Sequence, residues 1–94
     1  MPIVWDERKR RLNIVKHGID FAFVEGAFDF AEAFYTAARD DRVKAIGLFD
    51  GRVVVLIFRP LGEEAISLIS LRIASKKERE VYAKRARRQD QIHP

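Results

Sequence analysis

Val43-Lys44-Ala45-Ile46-Gly47-Leu48-Phe49-Asp50-Gly51-Arg52-Val53-Val54-Val55-Leu56-Ile57-Phe58-Arg59 reads as two β-strands joined by an Asp-Gly pair. Asp-Gly readily takes the positive φ angles of a type I′ turn, whose twist matches that of the strands it joins. A two-residue loop at Asp50-Gly51 also fixes the register. Opposed positions sum to 101, so Phe49 faces Arg52 at the turn and Arg42 faces Arg59 at the far end. Like charges directly across an antiparallel pair destabilise it unless an anion lies beside them. A phosphate would satisfy both guanidiniums through bidentate contacts. Asp40, Asp41, Glu63 and Glu64 lie near the same end and would neutralise the pair instead.

Outward from the hairpin, Pro60 and Gly62 end the second strand. Residues 66–72 read as a further strand, antiparallel to its predecessor because the linking loop is short, and Arg72 brings a third positive charge to the sheet. Phe34-Tyr35-Thr36-Ala37 is a short strand candidate on the other side. Ser75-Lys76-Lys77-Glu78 is a capping box, which predicts a basic helix over about 76–88.

Towards the N-terminus, Trp5, Leu12, Val15 and Ile19 step by seven, three and four residues, the spacing of one apolar helix stripe. Asp6 is the expected N-cap and Gly18 the expected stop. Asp20 caps a second, shorter helix bearing Phe21, Val24, Ala27 and Phe28. The expectation is one α+β domain over residues 1–94: two N-terminal helices, a small antiparallel sheet and a C-terminal helix.

Composition narrows the function classes. With 48% hydrophobic and 34% charged residues the chain can bury a core, which excludes intrinsic disorder. The absence of Cys excludes disulfides, thiolate chemistry and Cys-based zinc sites. Only His17 and the near-terminal His93 are present, too few for a multi-histidine metal site. No Gly-rich nucleotide loop and no Gly-x-Ser-x-Gly elbow occurs, so no cofactor is expected. The longest apolar run, residues 53–58, falls far short of the roughly 18 residues that cross a bilayer. Trp5-Asp6-Glu7-Arg8 interrupts any secretory signal, which leads to the expectation of a cytoplasmic protein without a membrane partner.

The net charge of +4 is unevenly placed. Residues 1–17 carry five Lys/Arg against two acids, 18–64 five against nine, and 65–94 eight against three. Two basic ends flank an acidic middle. The ends suit a polyanion such as nucleic acid, and Asp20, Glu25, Asp29 and Glu32 in the middle suit a basic protein partner.

The remaining Arg, Lys, His, Tyr and Glu suit phosphodiester chemistry without a metal. His17 falls in the last turn of its helix, where the dipole favours its protonated form, and its ordinary pKa near 6.5 suits proton transfer at neutral pH. A lone His at a helix terminus is nevertheless more often a cap on the last carbonyls than a catalyst. Trp5 reads as a core residue or as an aromatic that stacks on a base. Tyr82, four residues past Glu78, shares a helix face with it, either as solvated surface or as a phenol and carboxylate that share proton transfer.

Motif order adds a further reading. Trp5-Asp6-Glu7, Asn13, Lys16-His17-Gly18-Ile19-Asp20-Phe21, Ala45-Ile46-Gly47 before Asp50-Gly51-Arg52, then Ile69-Ser70-Leu71-Arg72, Ala74, Glu78 and Tyr82 together resemble the BrnT family over about residues 4–83. The resemblance implies a RelE-like fold and a toxin of a type II toxin-antitoxin system. It implies metal-independent endoribonuclease activity, neutralisation by a BrnA-like antitoxin, and contact with operator DNA only through the antitoxin complex. On that reading Arg42, Arg59 and Arg72 stabilise the phosphate, and Lys16 and His17 contact substrate or move a proton. Lys76, Glu78, Tyr82 and Trp5 are further substrate contacts.

Two departures from the family pattern stand out. Ser67-Leu68-Ile69-Ser70-Leu71-Arg72 has Ser67 where the family usually has Arg, which shifts weight to Arg59. The connection before Ala45 is also short and Asp-rich. The alternative to a nuclease is a non-catalytic antitoxin-binding or nucleic-acid-binding module of the same fold.

Overall fold

In the computed structural model, which describes residues 1–92 and side chains through Arg85, the Asp-Gly turn forms as the sequence predicts. His93 lies outside the described residues. Asp50 (φ 53°) and Gly51 (φ 83°) both occupy the left-handed region. They join β3 (Val43–Phe49) to β4 (Arg52–Leu61), paired in the expected register from Phe49 opposite Arg52 to Val43 opposite Phe58. A second turn of the same kind joins β2 (Phe34–Ala37) to β3. Asp40 (φ 57°) and Asp41 (φ 60°) are its central residues, and the Arg42 N–H donates to the Arg39 carbonyl at 3.2 Å. Aspartate tolerates this region better than most residues, which accounts for an Asp-Asp turn.

The remaining elements are β1 (Ile3–Trp5), α1 (Glu7–His17), a 3₁₀ turn (Phe21–Phe23), α2 (Val24–Ala27), β5 (Ala65–Ile73) and α3 (Lys76–Ile92). The five strands form one sheet in the order β1-β5-β4-β3-β2, with β1 parallel to β5 and the other pairs antiparallel. This corrects the expectation of two N-terminal helices and a small antiparallel sheet. The chain enters as a strand, the sheet is mixed, and the second helix shrinks to a 3₁₀ turn plus one turn of α-helix.

The misreading traces to the stripe of Trp5, Leu12, Val15 and Ile19. Trp5 belongs to β1, pairs with Leu68 and sets its ring edge-on to Phe21 at 6.5 Å. Ile19 reaches the core from beyond the helix end, while Leu12 and Val15 point to solvent. α1 turns Arg10, Asn13, Ile14 and His17 inward, so its buried side is mostly polar.

Asn13 explains why. β1 covers the edge of β5 only as far as Leu68, and the backbone beyond needs other partners. The Asn13 Oδ1 accepts from the Leu71 N–H at 3.0 Å, and its Nδ2 donates to the carbonyls of Leu71 and Ile19, each at 2.9 Å. One side-chain amide thus replaces a peptide group of an absent strand.

Each face of the sheet carries its own core. Val54, Leu56 and Phe58 of β4 pack with Leu68 and Leu71 under Phe21, Val24 and Phe28. Val55 and Ile46 pack on the opposite face with Ala74 under Val81 and Tyr82 of α3. Leu68 and Leu71 are three residues apart, which in a regular strand would send them to opposite faces. A β-bulge resolves this: Ile57 faces Ser70 and Phe58 faces Leu68, leaving Ile69 over.

Candidate nucleic-acid interface

The α3 face of the sheet is ordered in rows by the strand register. Phe34, Ile46, Val55 and Arg72 form one row, and Thr36, Lys44, Ile57 and Ser70 the next. Arg59, Ser67 and Val4 form a third. α3 covers the first row with Val81 and Tyr82. The other two rows are half-buried or exposed and carry cations and hydroxyls.

Glu78 organises the cations. The capping box forms as expected: the Glu78 N–H donates to Ser75 Oγ at 3.2 Å, and the Glu78 carboxylate accepts from the Ser75 N–H at 2.8 Å. The same carboxylate takes both Arg72 guanidinium nitrogens, at 2.7 and 2.9 Å, and Lys44 Nζ at 2.7 Å. The Arg72 hydrogen bonds are the main reason that the Glu78 carboxyl titrates far below the usual carboxylate range; Lys44 and Ser75 add to this against the opposing effect of burial. Glu78 in turn raises the pKa of Arg72 further. Two cations from different strands are held by one anion, so the cluster keeps net positive charge.

Arg42 and Arg59 stand beside it. The β3–β4 ladder ends at Val43 and Phe58, one pair short of these two residues. The Arg42 backbone belongs to the β2–β3 turn instead, where its carbonyl accepts from the Ala38 N–H at 2.8 Å. Among the described residues neither arginine forms an ion pair, so Asp40, Asp41, Glu63 and Glu64 do not neutralise them. The Arg42 Nε is buried without a hydrogen-bond partner. Arg59 is exposed and directly faces Ser67.

Lys16 and His17 reach the site from α1, lining a groove with Ser70. Burial, followed by the charges of Lys16 and Arg72, holds the His17 pKa below its ordinary value. This reverses the expectation from the helix dipole and favours neutral imidazole. Tyr82 is half-buried, and burial, then Asp29 and Glu32, push its phenol pKa up, so it keeps its proton at neutral pH. Lys76 is exposed at the first position of α3. Trp5 does not join this group. Its ring packs on the other face, and its Nε1 donates to Glu7 at 3.3 Å.

Sequence reasoning missed Lys44, Thr36 and Ser70. Arg42 and Lys44 alternate with Val43 and Ala45, a period-two signal that this end of one face is wet. Among the described residues no three His, Asp or Glu side chains gather where they could hold a metal ion.

A family model described as the ribonuclease toxin BrnT of type II toxin-antitoxin systems matches residues 5–78. The chain belongs to the BrnT family. The crystal structure of the Brucella abortus ribonuclease toxin BrnT is 47% identical to it, with a TM-score of 0.71 over 81% of this chain and 99% of that one. No curated protein matches it. As a BrnT toxin the chain is an endoribonuclease of a type II toxin-antitoxin system. The matched region ends at Glu78, the residue that pins Arg72 and Lys44.

Proposed function

We propose that this BrnT toxin cleaves RNA on the open face of its sheet without a metal ion. The 2′-hydroxyl oxygen attacks the adjacent phosphorus and the 5′ oxygen leaves, giving a 2′,3′-cyclic phosphate and a 5′-hydroxyl. The observation that carries this reading is the pinning of Arg72 and Lys44 by one Glu78 carboxylate beside an unpaired Arg59. Cations fixed before substrate arrives stabilise charge that develops on phosphoryl oxygens without reorganising during the step.

Neutral His17 takes the 2′-hydroxyl proton, with Lys16 beside it to hold the phosphate. Tyr82 retains its proton and can only donate. Glu78, saturated by its partners, is a positioning residue rather than a base. Arg59 supplies from β4 the charge expected at Ser67, its direct cross-strand partner, while Arg42 and Lys76 contact flanking phosphates. The cognate antitoxin neutralises the toxin by covering this face and carries the complex to operator DNA.

Incubating the purified protein with RNA in excess EDTA tests the proposal. Cleavage that leaves cyclic phosphate ends, and that falls at least about a hundredfold in an Arg72→Ala, Arg59→Ala double variant, is expected. Intact RNA at verified levels of folded protein, or cleavage abolished by EDTA, would overturn it.

A further inference from the structure

The outward side of α1 carries two apolar residues, Leu12 and Val15, among charged ones, and no described residue covers them. Leu12 is 59% and Val15 86% exposed. Both line a groove of about 440 Å³ between α1 and β5, whose other walls are Lys9, Asn13, Lys16, His17, Ile69 and Ser70. Among the described residues no carboxylate lines this groove. The two acids at this end of the chain are already engaged: Asp6 accepts from the N–H groups of Arg8 and Lys9, and Glu7 pairs with Arg10.

An occupant must therefore offer apolar side chains to Leu12 and Val15 and negative charge to Lys9 and Lys16. RNA supplies the charge but not the aliphatic surface, and a base stacks on aromatic rings rather than on Leu and Val. A protein segment supplies both. It would dock by side chains, because Asn13 already fills the Leu71 edge where an added strand would pair. Of the acids around the second helix, Asp20 is taken up by Arg10 at 2.9 Å and Asp29 accepts from the Glu32 N–H.

We infer that the α1–β5 groove seats the antitoxin, through a segment that sets apolar side chains over Leu12 and Val15 and carboxylates against Lys9 and Lys16. The inference rests on the toxin-antitoxin reading above. His17 and Ser70 line the same groove, and Ser70 shares its row with Lys44. A segment seated there closes the approach to the proton acceptor, so docking and inhibition are one event.

The test measures binding of the full-length antitoxin encoded beside the toxin, and RNA cleavage, for wild type, a Leu12→Asp, Val15→Asp double variant and Lys9→Glu. The double variant should bind the antitoxin about a hundredfold more weakly, and Lys9→Glu about tenfold more weakly with a smaller salt dependence, while both cleave RNA at the wild-type rate. Unchanged antitoxin affinity in both variants overturns the inference. Slower RNA cleavage with unchanged antitoxin affinity also overturns it and makes the groove an RNA subsite. If wild type itself does not bind the antitoxin, the toxin-antitoxin reading fails first. Lys9→Glu, which keeps the apolar pair, carries the test should the double variant not fold.

Discussion

Arg72 and Glu78 join the end of β5 to the first turn of α3 through two parallel hydrogen bonds of 2.7 and 2.9 Å. Glu78→Gln keeps the shape of this link but removes its charge, leaving Arg72 and Lys44 half-buried and unmatched. Equilibrium unfolding in urea should show a loss of about 2 kcal/mol. Cleavage should fall mainly in kcat, because the phosphate contacts remain but lose their fixed position. A normal carboxyl pKa for Glu78 by NMR would show that the link is weaker than its geometry.

The same residue sets an acid limit. The Glu78 pKa is lower folded than unfolded, so its contribution is complete above the ordinary value of 4.5 and is lost as pH falls below it. The stability of Glu78→Gln should therefore depend less on pH in that range than that of wild type, as melting curves from pH 6 downwards would reveal.

His17 acts in the same direction at higher pH. Its pKa is also depressed on folding, so the unfolded chain takes up the proton first. Its contribution to stability is complete above 6.5 and declines as pH falls through the folded value. The acid limb of the kcat profile should have its midpoint below 6.5, and His17→Ala should remove that limb along with most of the activity. Imidazole titration by NMR gives the midpoint independently.

Asn13→Ala should cost about 3 kcal/mol, since it leaves the Leu71 N–H and two carbonyls without partners. Hydrogen exchange at the Leu71 amide should accelerate more than at other β5 amides.

Two glycines should respond in opposite ways to alanine. A Cβ at Gly47 would lie 2.9 Å from Phe28 Cζ and 3.0 Å from Ala33 Cβ, so Gly47→Ala should destabilise by about 1–3 kcal/mol. At Gly26, in α2, nothing lies within 4 Å of such a carbon, and Gly26→Ala should stabilise by about 0.5–1 kcal/mol. Thermal melting distinguishes the two.

Local signals were readable wherever the chain folds on its neighbours. Asp50-Gly51 disclosed the hairpin and its register, Phe34–Ala37 formed the short strand expected of it, and Ser75 and Glu78 cap each other at the spacing of their motif. β1 has three residues and no turn of its own, and it forms only because β5 lies alongside. α1 misled because the hydrogen-bonding demand of Leu71 draws Asn13 inward and leaves Leu12 and Val15 outside. In the site, Arg72 and Glu78 could be named from sequence. Their union with Lys44 could not, because it depends on α3 crossing back over β3.

The parallel pairing of β1 with β5 also orders events during synthesis. Ile3 must wait for Ile66, and Asn13 for Leu71, 58 residues further along. As the chain leaves the ribosome, β1 and α1 emerge first yet cannot dock, whereas the β3–β4 hairpin can close as soon as it emerges. The cationic cluster on the α3 face comes later still, since Arg72 and Lys44 have no common anchor until Glu78 has been translated. The nascent toxin is thus a chain whose first segment must wait for its fifth strand.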